Sequence, residues 1–131
     1  MLDLLIAAVV AMAIGMFWYS QSAFGHMWAQ ESGLSKAELR KLRKRDMKLP
    51  LTLEFVGKVV LAFVLSELLM RLGVTTWQTG AQVAGLMFLG FTVPLLLSGM
   101  SWDQKTLKMT LINGGYWLVT MAVMGAIIVI W

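Results

Sequence analysis

Glu54 and Lys58 stand four residues apart inside one apolar run, and Glu67 and Arg71 repeat the arrangement at its far end. In each pair the acid comes first, the better order for an ion pair along a helix. A charge at the centre of a bilayer costs about 2.5–3.5 kcal/mol on insertion scales, so charges within apolar runs need partners or a purpose. Glu54 and Glu67 are separated by thirteen residues. At about 100° per residue that places them on nearly opposite helix faces, so they cannot line one polar stripe. Glu67 and Arg71 lie near the end of the run, within reach of water. Lys58 is the deepest formal charge in the chain. A second polar row, Asn113, Tyr116 and Thr120, follows i, i+3, i+7 spacing in the last apolar run and shares one helix face. The chemistry open to such groups is binding of a small solute or ion.

Other chemistries find little support. With no cysteine, disulfides, iron–sulfur clusters and thiolate zinc sites are excluded. His26 is the only histidine, and with Glu31 and Glu38 it falls on a solvated segment where scattered charge is ordinary. The 11 methionines form no paired spacing aimed at one point; unbranched Met more often fills irregular packing. No metal and no cofactor is expected. Nothing resembles a nucleophile with its base, a phosphate-cradling loop or paired catalytic carboxylates. The expectation is therefore a protein that is not an enzyme, and no nucleic-acid partner is indicated.

The elements that position these residues are apolar runs, lying at 4–19, 51–70, 83–98 and 107–131. A run of about 18–20 apolar residues matches the hydrocarbon thickness of a bilayer. Hydrophobic residues make up 59% of the 131-residue chain and charged residues only 14%, against roughly a quarter charged in soluble domains. The expectation is a single membrane domain over residues 1–131, an all-α integral membrane four-helix bundle. Its spans fall at about 2–20, 50–71, 78–100 and 106–131. A basic connector at 21–49 carries a short amphipathic helix. The first run has no basic leader, carries Asp3 and stays apolar through Trp18, so it reads as a retained span and not a cleaved signal peptide.

Seven of the 11 Lys and Arg residues sit between the first two runs: Lys36, Arg40, Lys41, Arg43, Lys44, Arg45 and Lys48. Lys105 and Lys108 flank the link between the last two. Basic loops stay in the cytosol, which puts residues 21–49 inside and both termini outside. Ser35-Lys36-Ala37-Glu38 reads as a capping box opening the connector helix. Leu34, Leu39, Leu42 and Met47 give that helix an apolar edge. Arg40, Lys41, Arg43, Lys44 and Arg45 then either touch anionic lipid head groups or simply hold the loop inside. Ala7, Ala11 and Gly15, with Gly80 and Ala84, form small-residue stripes that let helices approach closely. Gly114-Gly115 reads as a packing notch. Pro94 predicts a kink in the third span.

The charge map brings distant segments together. Trp18, Tyr19 and Ser20, Glu54 and Lys58, and Asn113 and Tyr116 all fall in the cytoplasmic half at similar depth. One expectation is a buried polar cluster, with Lys58 paired to Glu54 and to Asn113 or Tyr116. The alternative is that Lys58 snorkels to the head groups while Asn113 makes a single interhelical hydrogen bond.

Gly15-Met16-Phe17-Trp18-Tyr19-Ser20, followed by Phe24-Gly25 and Trp28, resembles the opening signature of a small bacterial membrane family catalogued as domain of unknown function 1761. Leu89-Gly90-Phe91 and Leu111-Ile112-Asn113-Gly114-Gly115-Tyr116 are similar to its third- and fourth-span patterns. Gln21 departs from the family, which often has proline there. The resemblance covers nearly the whole chain and implies four spans, but no activity. The matching residues are those the charge map puts at the cytoplasmic end, either as a site or as a structural seam between spans one and four.

Two functional readings follow. One is an oligomeric protein that binds or transports a small solute or ion, since four helices enclose little and homo-oligomers with cyclic symmetry are the common solution. The other is a non-transporting scaffold or accessory subunit that holds anionic lipid or a partner through its basic helix.

Overall fold

The computed structural model describes residues 1–131. The chain is all-helical, without strands. Its helices are α1 (Leu2–Trp18), α2 (Gly25–Glu31), α3 (Lys36–Lys44), α4 (Lys48–Arg71), α5 (Trp77–Trp102) and α6 (Leu107–Ile130). Two of them, α5 and α6, are long and apolar enough to cross a membrane, while α1 is apolar but shorter. The connector expected to hold one short helix holds two, α2 and α3.

Local chemistry explains the boundaries. Thr76 and Thr106 cap α5 and α6 by accepting from the backbone N–H groups of Thr79 and Met109, filling donors that a helix start leaves open. The Ser35–Glu38 capping box is formed at the head of α3. Inside α5, Phe88–Thr92 makes a π turn immediately before Pro94, and Val93 N–H bonds back five residues to the Phe88 carbonyl. A proline ring clashes with the carbonyl four residues earlier and offers no N–H. The wider π turn takes up both effects where the sequence predicted a simple kink.

α6 is the axis of the molecule and touches α1, α4 and α5. α1 lies between α4 and α6, while α4 and α5 barely meet. The core is built on small residues: Ala7, Ala11, Ala62 and Ala84 are fully buried, joined by Leu65, Leu69, Met124 and Ile128. At one end α5 and α6 meet backbone to backbone, so that a Cβ on Gly80 would stand 2.6 Å from the Gly125 carbonyl oxygen. The small-residue stripes thus pack the chain's own helices, and they are not free surfaces. Large apolar side chains cover the outside instead, Val9, Phe63, Leu89, Phe91 and Leu95 among them.

Candidate functional site

The opposite end of the bundle is built from larger and more polar side chains. α1 is pinned to α6 by the Trp18 indole, whose Nε1 donates to the Ile112 carbonyl at 2.9 Å. Gly115 makes that possible, since a Cβ there would come within 3.0 Å of the ring. Gly114, its neighbour, leaves room on the other side for Leu96 of α5. One residue beyond Trp18, the Tyr19 hydroxyl donates to Asn113 Oδ1 at 2.7 Å. Gly15 serves Tyr116 in the same way, because a Cβ at that position would lie 3.1 Å from the phenol oxygen.

The chain then folds back across the end of α1. Phe24 N–H donates to the Trp18 carbonyl and Gly25 N–H to the Ser20 carbonyl, each at 2.9 Å. Any side chain at Gly25 would collide with the carbonyl oxygens of Tyr19 and Ser20, which explains a glycine at the start of α2. Phe24 stacks at a tilt on Trp18, with ring centroids 4.7 Å apart. Glu31, at the end of α2, accepts from the Thr106 hydroxyl at 2.8 Å and ties α2 to the start of α6.

Lys58 sits inside this frame and is only 1% exposed. Its Nζ donates to Glu54 Oε2 at 3.0 Å. The ammonium also lies 4.1 Å from the centroid of the Trp117 ring and 5.3 Å from that of Tyr116, a cation–π setting that is strongest where water is absent. Tyr19 meets Tyr116 edge-on at 5.4 Å. The pair is lopsided: the Glu54 side chain is 59% exposed while that of Lys58 is 2% exposed. The carboxylate faces a cavity of about 810 Å3 bounded by α1, α2, α3, the start of α4, α6, and Leu96 and Lys105 from α5 and the turn after it. A second cavity of about 380 Å3 adjoins it beside the α5–α6 turn, sharing Trp28, Lys105 and Asn113 with the first.

Of the residues singled out from the sequence, Tyr19, Glu54, Lys58, Asn113 and Tyr116 are brought together. Lys58 does not snorkel. Asn113 does not reach it either, being engaged by Tyr19. Ser20 stands outside the cluster, its hydroxyl turned back onto the Phe17 carbonyl at 2.6 Å. Thr120 shares the face of Asn113 and Tyr116 but its Oγ1 is buried with no hydrogen-bond partner. Arg43 and Arg45 border the larger cavity, whereas Arg40, Lys41 and Lys44 point elsewhere. His26 meets only Gln30, at 3.4 Å, and no group of three or more acidic or imidazole side chains is placed to hold a metal.

One member of the site was missed. Trp117 gives Lys58 its nearest aromatic face, whereas Trp18, singled out from the sequence, is joined to α6 by a hydrogen bond as long in range as that of Tyr19. The available signal was the need of a buried cation for something besides one carboxylate, which an indole beside Tyr116 supplies.

The fold and this end of it together define a helical bundle closed by an aromatic and amide seam, with one ammonium inside. The chain belongs to the family described as Protein of unknown function (DUF1761), whose model matches residues 2–129. No curated protein and no solved structure matches it.

Proposed function

We propose that this is a four-span protein of a bacterial inner membrane that binds a small solute in its cytoplasmic half, with transport as the reading's natural extension. Both termini lie outside and residues 21–49 lie in the cytosol. The support for spanning is the inversion of the usual pattern. The outside of the bundle carries bulky apolar side chains while a lysine is buried within, and a large exposed apolar surface marks a membrane or a partner. α4, at 24 residues, is about 36 Å long at 1.5 Å per residue, enough to cross.

The observation that carries the binding reading is the cavity of about 810 Å3 with Glu54 and Asn113 in its wall. Small-molecule sites run from roughly 300 to 1,000 Å3, mostly apolar with a few fixed polar groups. The cavity forms within one chain, so binding needs no second copy, and the small-residue stripes that could have served contacts between copies are already packed inside the bundle. A homo-oligomer remains part of the transport extension only.

Two experiments test this. The chain has no cysteine, so Lys41→Cys and Thr75→Cys each give a single label site. In intact cells an impermeant maleimide should modify the second and spare the first; the reverse pattern inverts the topology. Purified protein should also carry a small molecule that mass spectrometry of its extract detects, and Met12→Trp, which narrows the cavity, should lose it. Identical extracts from the two proteins would remove the cavity as a binding site.

A further inference from the structure

Three cations border the larger cavity, Arg43 and Arg45 from the end of α3 and Lys105 from the α5–α6 turn. None of them makes an ion pair within the chain. The only carboxylate in the wall is Glu54, and it already faces Lys58. No ion pair therefore answers the excess of positive charge in this cavity wall, although Glu31 and Asp103 line the adjoining cavity beside Lys105. The positive-inside rule asks for basic residues in this connector but says nothing about which way they face. Here α3 turns Leu39, Leu42 and Arg43 toward the cavity, an i, i+3, i+4 set on one face, and leaves Arg40, Lys41 and Lys44 on its other side. The rest of the wall is mostly apolar, with Met12 and Met16 from α1 and Leu96 from α5.

Resting on the reading of this cavity as a binding site, we infer that its ligand is an anionic amphiphile: a carboxylate or phosphate head held by Arg43, Arg45 and Lys105, with an acyl chain along Met12, Met16 and Leu39. The tail gains little on leaving the bilayer, since lipid is as apolar as the pocket. The head decides the affinity. Guanidinium groups present planar paired donors suited to either anion, and in the proposed topology they fall at the level of the inner-leaflet head groups. This is a site for one amphiphile per chain, distinct from diffuse contact between a basic helix and a membrane surface.

The test uses the full chain in phosphatidylcholine nanodiscs with three photoactivatable probes of equal tail length: a fatty acid, a phosphatidylglycerol and a fatty alcohol. Either anionic probe should cross-link to peptides containing Met12–Met16 and Leu39–Met47, saturating at one per chain, and which of the two does so identifies the source of the head group. The alcohol should not compete. Replacing Arg43 and Arg45 together with Gln should raise the half-saturating probe fraction at least about tenfold, since charge-assisted contacts of this kind are worth a factor of that order each. Arg40→Gln with Lys44→Gln is the matched control and should leave it unchanged. Equal labelling of the cavity by alcohol and anion, insensitive to the Arg43/Arg45 change, overturns the anionic ligand and leaves the cavity as a site for something neutral. Labelling by every probe only on the outward faces of α4 and α5 overturns the inference entirely. The extract comparison with Met12→Trp then decides the broader reading separately.

Discussion

The two ends of this bundle solve the same packing problem in opposite ways. At the Gly125 end, α5 and α6 approach until their backbones touch, and no polar side chain intervenes. At the Trp18 end, the same α6 is held off from α1 and α4 by two indoles and two phenols, and a cavity remains beside them. Small residues close one end and large amphipathic ones prop open the other. A dense apolar contact serves stability, whereas a propped, half-polar end has room for a ligand.

The contrast is sharpest if each end is broken at its tightest contact. Gly125→Leu should have the largest effect of all, because even a Cβ at this position runs into the Gly80 carbonyl and the Ala84 methyl group. Backbone cannot give way as a flexible side chain can, so the loss should reach at least about 3 kcal/mol, the upper range for overpacking. Thermal unfolding in detergent, or the yield of monodisperse protein, measures it. Gly57→Leu is the control, since a Cβ there meets nothing within 4 Å, and it should fold as well as the parent.

The buried pair comes next. Glu54→Gln keeps an acceptor for the Lys58 amine but removes the charge that offsets it, leaving an ammonium at 1% exposure facing a neutral amide and aromatic rings. Breaking a buried pair at one partner is worth about 3–5 kcal/mol at full burial. With Glu54 more than half exposed and an amide oxygen still present, about 1–2 kcal/mol is expected for the lost charge assistance. Lys58→Met should go the other way. It fills the same volume, leaves an exposed carboxylate free to hydrate, and should hold or raise the unfolding midpoint. If both variants lose stability equally, the lysine supports the bundle and is not a buried charge that costs it stability.

The sequence shows why one end was easier to read than the other. Apolar runs locate the long helices to within a few residues, because hydrophobic length is a local property. The i,i+4 spacing of Glu54 and Lys58 is local too. The partners across the bundle are not: that Asn113 accepts from Tyr19, and that Trp117 and not Asn113 meets Lys58, depends on how α6 is rotated against α1 and α4. That rotation is set by Gly15 under Tyr116 and Gly115 under Trp18, contacts between residues about a hundred positions apart. α2 escaped notice because it depends on Gly25 permitting a turn whose hydrogen bonds run back to Trp18 and Ser20. The π turn before Pro94 was likewise hidden, since a proline announces a disturbed helix without saying which disturbance results.

At the propped end, Tyr19→Phe removes one hydroxyl from a half-buried hydrogen bond and leaves Asn113 Oδ1 without its donor. A loss of about 1 kcal/mol is expected. Asn113→Ala in the Tyr19→Phe background should then do little more than either change alone, because the two residues share one bond. Additive losses in that double-mutant cycle would mean the seam is held elsewhere, and Trp18 would become the first place to look.

The smallest effect falls on the pair that looks most like Glu54–Lys58 in sequence. Glu67 and Arg71 have the same i,i+4 spacing on the same helix, but their atoms stand 3.6 Å apart with side chains 43% and 78% exposed. Water competes for both groups and salt screens them, so Glu67→Gln should change stability by less than about 0.5 kcal/mol. It should also leave ligand capture at the distant cavity untouched. Identical spacing thus predicts a local pair in both cases, while its worth is decided by what the rest of the bundle places around it. A loss at Glu67 matching that at Glu54 would mean the aromatic enclosure of Lys58 contributes nothing.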